Sequence, residues 1–168
     1  MYLRIFSDLW LGRLITLLNP SYQLRIATLS DVRASGTEGP LSVIGQNTRV
    51  LQTIVDTTGL VTSLVSNQFV LPAGTYYFEG AGVSYNNTGY TRLRIRNITD
   101  SVTSVLGLST YNANTNIQYQ SVLVGEVVIT SAKTFELQHY TSASQRFGLS
   151  LTMGESEVFA QLKITKIK

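Results

Sequence analysis

Hydrophobic and polar side chains change their rhythm along this chain. Between Leu3 and Leu18 the large apolar residues Leu3, Phe6, Trp10, Leu14 and Leu17 recur at spacings of three and four, flanked by Ile5, Leu9 and Leu18. That period belongs to an amphipathic helix, with Ser7 placed to cap it and Asn19-Pro20 to stop it. Arg4, Asp8, Gly12 and Arg13 fall on the other side. A helix of about twelve residues is marginal alone in water, so its apolar stripe has to dock on another surface. The alternative is an extended arm folded onto the main domain.

After Pro20 the helical period stops. Residues 30–48 are rich in Ser, Asp, Gly, Thr, Pro and Asn and read as loop. From Arg49 onward the period is two. Residues 50–55, 68–71, 75–79, 92–96, 122–129, 135–139 and 158–164 are β-prone runs separated by turn residues such as Pro72-Ala73-Gly74 and Asn86-Asn87-Thr88-Gly89. Residues 92–96 alternate strictly, with Leu93 and Ile95 on one face and Arg92, Arg94 and Arg96 on the other. In the last run Val158, Ala160, Leu162 and Ile164 alternate against Phe159, Gln161 and Lys163. Roughly seven to ten short strands at near-regular spacing predict an all-β antiparallel sandwich or jelly roll. No strand–helix alternation and no internal repeat is visible, which argues against a parallel α/β sheet, a propeller or a solenoid.

Composition supports one domain and narrows its chemistry. The chain has 168 residues, 43% of them hydrophobic and only 14% charged, against about 25% charged in an average domain. Thr, Ser, Asn and Gln make up about a third of it, a composition typical of rigid extracellular or virion β proteins. The thirteen cations behind the net charge of +3 are scattered, so no nucleic-acid partner is indicated. Asp8 and Arg13 interrupt the N-terminal apolar run, and neither a signal peptide nor a membrane span is expected.

Candidate chemistry is sparse. Cysteine is absent and His139 is the single histidine, so disulfides, thiolate sites and familiar zinc sites are excluded, and no metal or cofactor is expected. His139 shares a strand face with Phe135 and Leu137 and belongs at the core; no Gly-x-Ser-x-Gly elbow accompanies it. Glu155 and Glu157 are two apart on a strand and could share a face, which keeps a small glycan hydrolase as a distant reading. Gly80-Ala81-Gly82 inside a strand reads as a bulge or a place of close packing. Two segments combine aromatic and amide side chains where loops are expected: Tyr85, Asn86, Asn87 and Tyr90, and Tyr111, Asn112 and Asn114. Tyrosine supplies rigid contact area and asparagine adaptable hydrogen bonds, so these are the candidate ligand-binding loops. Arg92, Arg94 and Arg96 form the candidate charged interface, suited to an acidic sugar, a phosphate or carboxylates across a subunit boundary.

Four segments carry a family resemblance. Asn47-Thr48-Arg49-Val50-Leu51-Gln52-Thr53, Phe69-Val70-Leu71-Pro72-Ala73-Gly74-Thr75-Tyr76, residues 91–100, and the pair formed by residues 135–140 and 158–164 resemble, in that order, the strands of C-terminal domains of bacteriophage tail- and head-fibre proteins. Those domains are similar to the trimeric jelly roll of complement globular heads and tumour necrosis factor. The resemblance implies a homotrimer without enzymatic activity, with a distal surface that binds a host cell-surface glycan or protein, and it transfers no catalytic residue. It implies a virion location, the protein being made in the bacterial cytoplasm. The expected organisation is an N-terminal anchoring segment over 1–20, a linker and first strand region over 21–48, and a jelly-roll domain over 49–168. Phe6, Leu9, Trp10, Leu14 and Leu17 would form an assembly anchor that plugs into another virion structural protein, without membrane insertion. A capsid or baseplate decoration protein with no host ligand is the alternative.

Overall fold

The computed structural model describes residues 24–168, which form twelve strands and no helix. The helix or arm expected over 1–20, with its anchor residues, lies outside the described residues. In chain order the strands are β1 (Arg25–Arg33), β2 (Gly45–Thr48), β3 (Thr53–Val55), β4 (Ser63–Val65), β5 (Gln68–Leu71), β6 (Gly74–Tyr85), β7 (Gly89–Asn97), β8 (Val102–Leu106), β9 (Thr110–Asn112), β10 (Gln118–Ile129), β11 (Lys133–Thr141) and β12 (Glu157–Lys166). They build two antiparallel sheets. The first runs β10-β6-β12-β1-β3; the second runs β4-β5-β11-β7-β8, with β2 also on β11 and β9 also on β7. The all-β, jelly-roll-like sandwich anticipated from the period-two pattern is what forms.

Alternation decides which side chains enter the space between the sheets. Tyr76, Phe78, Leu93, Ile95, Leu123, Phe135, Leu137, Leu162 and Ile164 are all fully or almost fully buried. At the centre Phe78 of the first sheet meets Phe69 and Phe135 of the second, with ring centroids 6.4 and 6.2 Å away. Phe69 stacks on Phe135 at 5.7 Å. Burying each such ring contributes about 1.5–3 kcal/mol. Gly80 lies within β6 where an added Cβ would come 3.0 Å from Leu123 and 3.2 Å from Leu162, so close packing, one of the two readings of this glycine pair, accounts for it.

The boundary expected at residue 49 falls inside the sandwich. β1 lies between β12 and β3, pairing with β12 from Arg25↔Lys166 to Arg33↔Glu157. Residues 30–48, read as loop, therefore contain the end of β1 and all of β2, because backbone pairing with distant strands overrides their polar composition. Residues 50–52, the first half of the run read as strand over 50–55, have no strand conformation. The alternation expected for 158–164 also breaks at one point. Asp31 pairs with Ala160 but Val32 with Val158, a bulge that leaves Phe159 over. Phe159 consequently turns inward to 2% exposure, while Val158 is 51% exposed.

Candidate functional site

On the outer face of the second sheet, cross-strand register assembles rows of side chains that are distant in sequence. Tyr90 of β7 stands directly opposite Tyr111 of β9. Their rings lie 4.7 Å apart, tilted by 45°, and both are largely exposed, at 65% and 62%. The next outward residue of β7, Arg92, is opposite Tyr140 of β11, which is opposite Gln46 of β2. Arg94 is opposite Gln138, and Arg96 is opposite Glu136. Tyr90, Arg92, Tyr140 and Gln46 line an open depression of about 320 Å³, closed at one side by Ser109 and Thr110.

The two groups of candidate residues thus meet: Tyr90 and Arg92 of β7 both line the depression, and Tyr111, placed by β9 and not by a loop, packs against Tyr90 beside it. The three arginines are not equivalent. Arg94 donates from Nε to Gln138 Oε1 at 2.9 Å and from Nη1 to Thr103 Oγ1 at 3.3 Å. Burial, then the charges of Arg96 and Arg92, pull its guanidinium below the usual range, with Glu136 opposing. Glu136 accepts from Thr48 Oγ1 at 2.9 Å, Gln68 Nε2 at 2.8 Å and Gln138 Nε2 at 2.7 Å. Burial pushes its carboxyl up, but these hydrogen bonds and Arg94 hold it below the ordinary carboxylate range. The Arg96 end of the face is therefore partly neutralised and locked, whereas no carboxylate lines the depression at the Arg92 end.

Most of the candidate asparagines serve the loops themselves. Asn112 is buried, donates from Nδ2 to the Asn86 carbonyl at 2.7 Å and accepts from the Asn114 amide at 2.9 Å. Asn86 takes the left-handed conformation, φ 67°, that the tight β6–β7 turn requires. Its Oδ1 accepts from the Asn116 amide at 3.2 Å, and its Nδ2 donates to Gln145 Oε1 at 3.3 Å. Tyr85 lies at the end of β6, not in a loop, and donates to Asn116 Oδ1 at 3.1 Å. Asn87 and Asn114 are exposed. Tyr140, Gln46, Ser109 and Thr110 were not singled out from the sequence. Tyr140 continues the outward alternation of Glu136 and Gln138, which is the signal that could have pointed to it.

Of the acid–base candidates, His139 and Glu157 have structural duties. His139 is fully buried; its Nε2 lies 2.6 Å from Thr91 Oγ1 and 3.2 Å from Ser121 Oγ. Burial, then the Arg49 charge, pushes its pKa well below the ordinary value. Sealed from solvent and with no acid on Nδ1, it has the contacts of a core residue and no path to a substrate. Glu155 is exposed, while Glu157 Oε1 accepts from Ser150 Oγ at 2.6 Å and from the amides of Leu151 and Thr152 at 3.0 and 3.2 Å. Those bonds, Ser150 first, hold the Glu157 carboxyl below its usual range and tie it to the loop before β12. Among the described residues no group of three or more His, Asp and Glu side chains comes together as a metal site.

No family model matches the chain, and no curated protein matches it either. Its backbone is nonetheless similar to solved structures. Murine APRIL at pH 8.5 superposes with a TM-score of 0.57 at 6% identity, covering 86% of this chain and 100% of that one. The globular domain of the zebrafish complement 1qA protein superposes with a TM-score of 0.52 at 12% identity, covering 84% of this chain and 97% of that one. The protein thus has the jelly-roll fold of tumour-necrosis-factor-like and complement-globular-head domains.

Proposed function

We propose that the protein is a homotrimeric, non-enzymatic binding module on a virus particle, presenting its outer tyrosine–arginine face to a host cell-surface glycan or protein. The observation that carries this reading is the contrast between the two outer sheet faces. That of the second sheet is polar and holds the depression beside Tyr90 and Arg92. That of the first sheet carries an apolar patch, formed by Ala81 and Val83 of β6, Val122 and Val124 of β10 and Val158 of β12, bordered by Gln120, Gln161 and one ion pair, Lys163–Glu79 at 2.7 Å.

An apolar patch rimmed by polar residues on an outer sheet face marks a surface to be covered. Here it includes β10, a twelve-residue strand at the edge of its sheet; the Leu108 amide satisfies the Val122 carbonyl at 3.1 Å, and unpaired stretches of an edge strand invite pairing with another chain. Two depressions of about 340 and 190 Å³ around Ala81 supply sockets for a neighbour's side chains. Two further copies of the same chain, related by a threefold axis, cover this face and leave the tyrosine–arginine face free. The virion setting rests on the four sequence segments that resemble phage fibre domains. Within it, residues 1–20 anchor the trimer to another virion structural protein.

Sedimentation equilibrium of the full chain at micromolar concentration should give three copies; a monomer overturns the assembly. A glycan and host-surface-protein array probed with the full chain should yield a binder. A trimer that binds nothing on such arrays supports the decoration role and removes the adhesion half of the reading. Deleting residues 2–18 should leave a trimer that no longer joins the particle, and full incorporation of the truncated chain refutes the anchor.

A further inference from the structure

We propose that the depression beside Arg92 is a subsite for a sugar bearing a carboxylate, with Arg92 receiving the acid group and the Tyr90–Tyr111 pair receiving the sugar ring. The proposal rests on the binding reading above and specifies its ligand class. Its first support is the uneven neutralisation along β7. Arg94 is held by Gln138 and Thr103, and Arg96 stands opposite Glu136. None of the three arginines enters an ion pair among the described residues; Arg92 differs in its cross-strand neighbours, which are Tyr140 and, beyond it, Gln46, where Arg96 faces a carboxylate. The planar guanidinium fork matches a carboxylate with two parallel hydrogen bonds. The neighbouring arginine charges make that end of the face favourable to an anion.

The second support is the aromatic pair. Tyr90 and Tyr111 are held in register by the β7–β9 pairing, and the Tyr90 amide is fixed further by Ser142 Oγ at 2.8 Å. Two exposed rings 4.7 Å apart form a rigid platform whose apolar faces suit the C–H face of a sugar and whose hydroxyls stay wet. Gln46, Ser109 and Thr110 add an amide and two hydroxyls on the rim, donors and acceptors suited to sugar hydroxyls. About 320 Å³ is near the lower end of ligand pockets and admits one substituted ring. No deep apolar socket for a peptide side chain is present in this lining. The depression is lined by one arginine, too little for a nucleic-acid backbone, which needs a run of cations. Three copies on one trimer would raise the avidity of a weak subsite without new contacts.

The test titrates the full-length protein, followed by NMR or calorimetry, with a glucuronide, a galacturonide and a sialoside. Each acid is paired with its neutral counterpart, and inorganic phosphate serves as the bare-anion probe. At least one acid should bind roughly tenfold or more tightly than its neutral partner, with an affinity that falls as salt is raised. Arg92→Gln should abolish the preference for the acid, and Tyr90→Ala should weaken the acid and its neutral partner together; both positions lie on the outer face, and a thermal melt checks that each variant is folded. Equal affinity for acid and neutral sugars, an undiminished preference in Arg92→Gln, or phosphate binding as tightly as the best sugar acid would each overturn the assignment. An array on which only neutral glycans bind leaves the binding module standing and removes this subsite alone.

Discussion

The guanidinium of Arg49 lies 4.2 Å from the centre of the Phe147 ring, deep between the two sheets. His139 stacks on the same ring at 5.1 Å. Arg49 is 1% exposed and donates from Nη1 to the Val83 carbonyl at 3.1 Å and from Nη2 to the Phe159 carbonyl. Burial pulls its pKa down to about 9, with Asp31 opposing, so it remains a cation at neutral pH. Around it Arg49 Nε, Asp31 Oδ2, His139 Nδ1 and Ser84 Oγ have no partner. Buried polar atoms of this kind are where internal water is found.

Removing this cation should be expensive. Arg49→Ala leaves two carbonyls without this donor, opens a cavity and removes a buried cation whose charge Asp31 favours, although Asp31 keeps its ion pair with Arg33 at 2.9 Å, for an expected loss of about 3–5 kcal/mol. Arg49→Met keeps most of the volume and should lose about 1–3 kcal/mol. Urea unfolding at fixed protein concentration measures both; an Ala variant within about 1 kcal/mol of the parent would show that the guanidinium does not organise this end of the core.

Stability should fall on mild acidification. The His139 imidazole is held neutral by burial and by Arg49, the charged group that faces it, alongside the Thr91 and Ser121 hydroxyls. Its folded pKa is depressed, so below the unfolded value of about 6.5 the unfolded chain binds a proton that the native state excludes. The resulting loss is about 1.4 kcal/mol per pH unit down to the folded pKa, and above pH 6.5 this group adds no slope. The carboxyls of Asp56, Asp100, Glu136 and Glu157 are likewise depressed. Their stabilisation is present above an unfolded value of about 4 and is lost only as pH falls below it. Unfolding curves between pH 7 and 5 should slope for the parent and flatten for His139→Gln; parallel curves would contradict the buried neutral histidine.

Two glycines with positive φ should respond very differently to alanine. At Gly148, φ +123°, a Cβ would fall 2.1 Å from Cδ1 of Phe159, so strain and collision combine for a loss above about 3 kcal/mol. At Gly36, φ +83°, nothing lies within 4 Å, and only the left-handed penalty of about 1 kcal/mol applies. Equal melting temperatures for the two variants would mean that Phe159 is not seated against Gly148.

A charge placed at the centre of the apolar outer face should separate assembly from folding. Ala81→Arg lies between the two sockets of the first sheet and points away from the core. It should yield a folded monomer by sedimentation with an unchanged β-type circular dichroism spectrum. A persisting trimer would place the subunit interface elsewhere.

The legible part of this protein is whatever alternation alone decides. Leu93 and Ile95 against Arg92, Arg94 and Arg96 reads directly as one buried and one outward face, and Phe135, Leu137 and His139 read together as core. Other elements resist such reading. Residues 25–33 and 45–48 become strands through partners 90 or more residues away, Lys166 to Glu157 and Gln138 to Thr141. The burial of Arg49 has no local sign, since residues 49–52 take no strand conformation despite their β-prone pattern and its partners come from β6 and β12. Of the binding face, the aromatic and cationic halves were visible separately. Their meeting, and the contribution of Tyr140 and Gln46, depended on the β7–β11 and β11–β2 registers.

By itself, then, the order of side chains determined the fold class, the inward faces of the long strands and the types of residue available for recognition. A period of two is enough to divide a strand between oil and water. Tertiary structure decided which strands are neighbours, that a bulge turns Phe159 in and Val158 out, that an arginine is enclosed with Phe147 and His139, and that Arg92 alone of its row stands beside an aromatic pair without a carboxylate. Those outcomes follow from hydrogen-bond register between distant segments, and one-residue shifts of register exchange the faces of a strand.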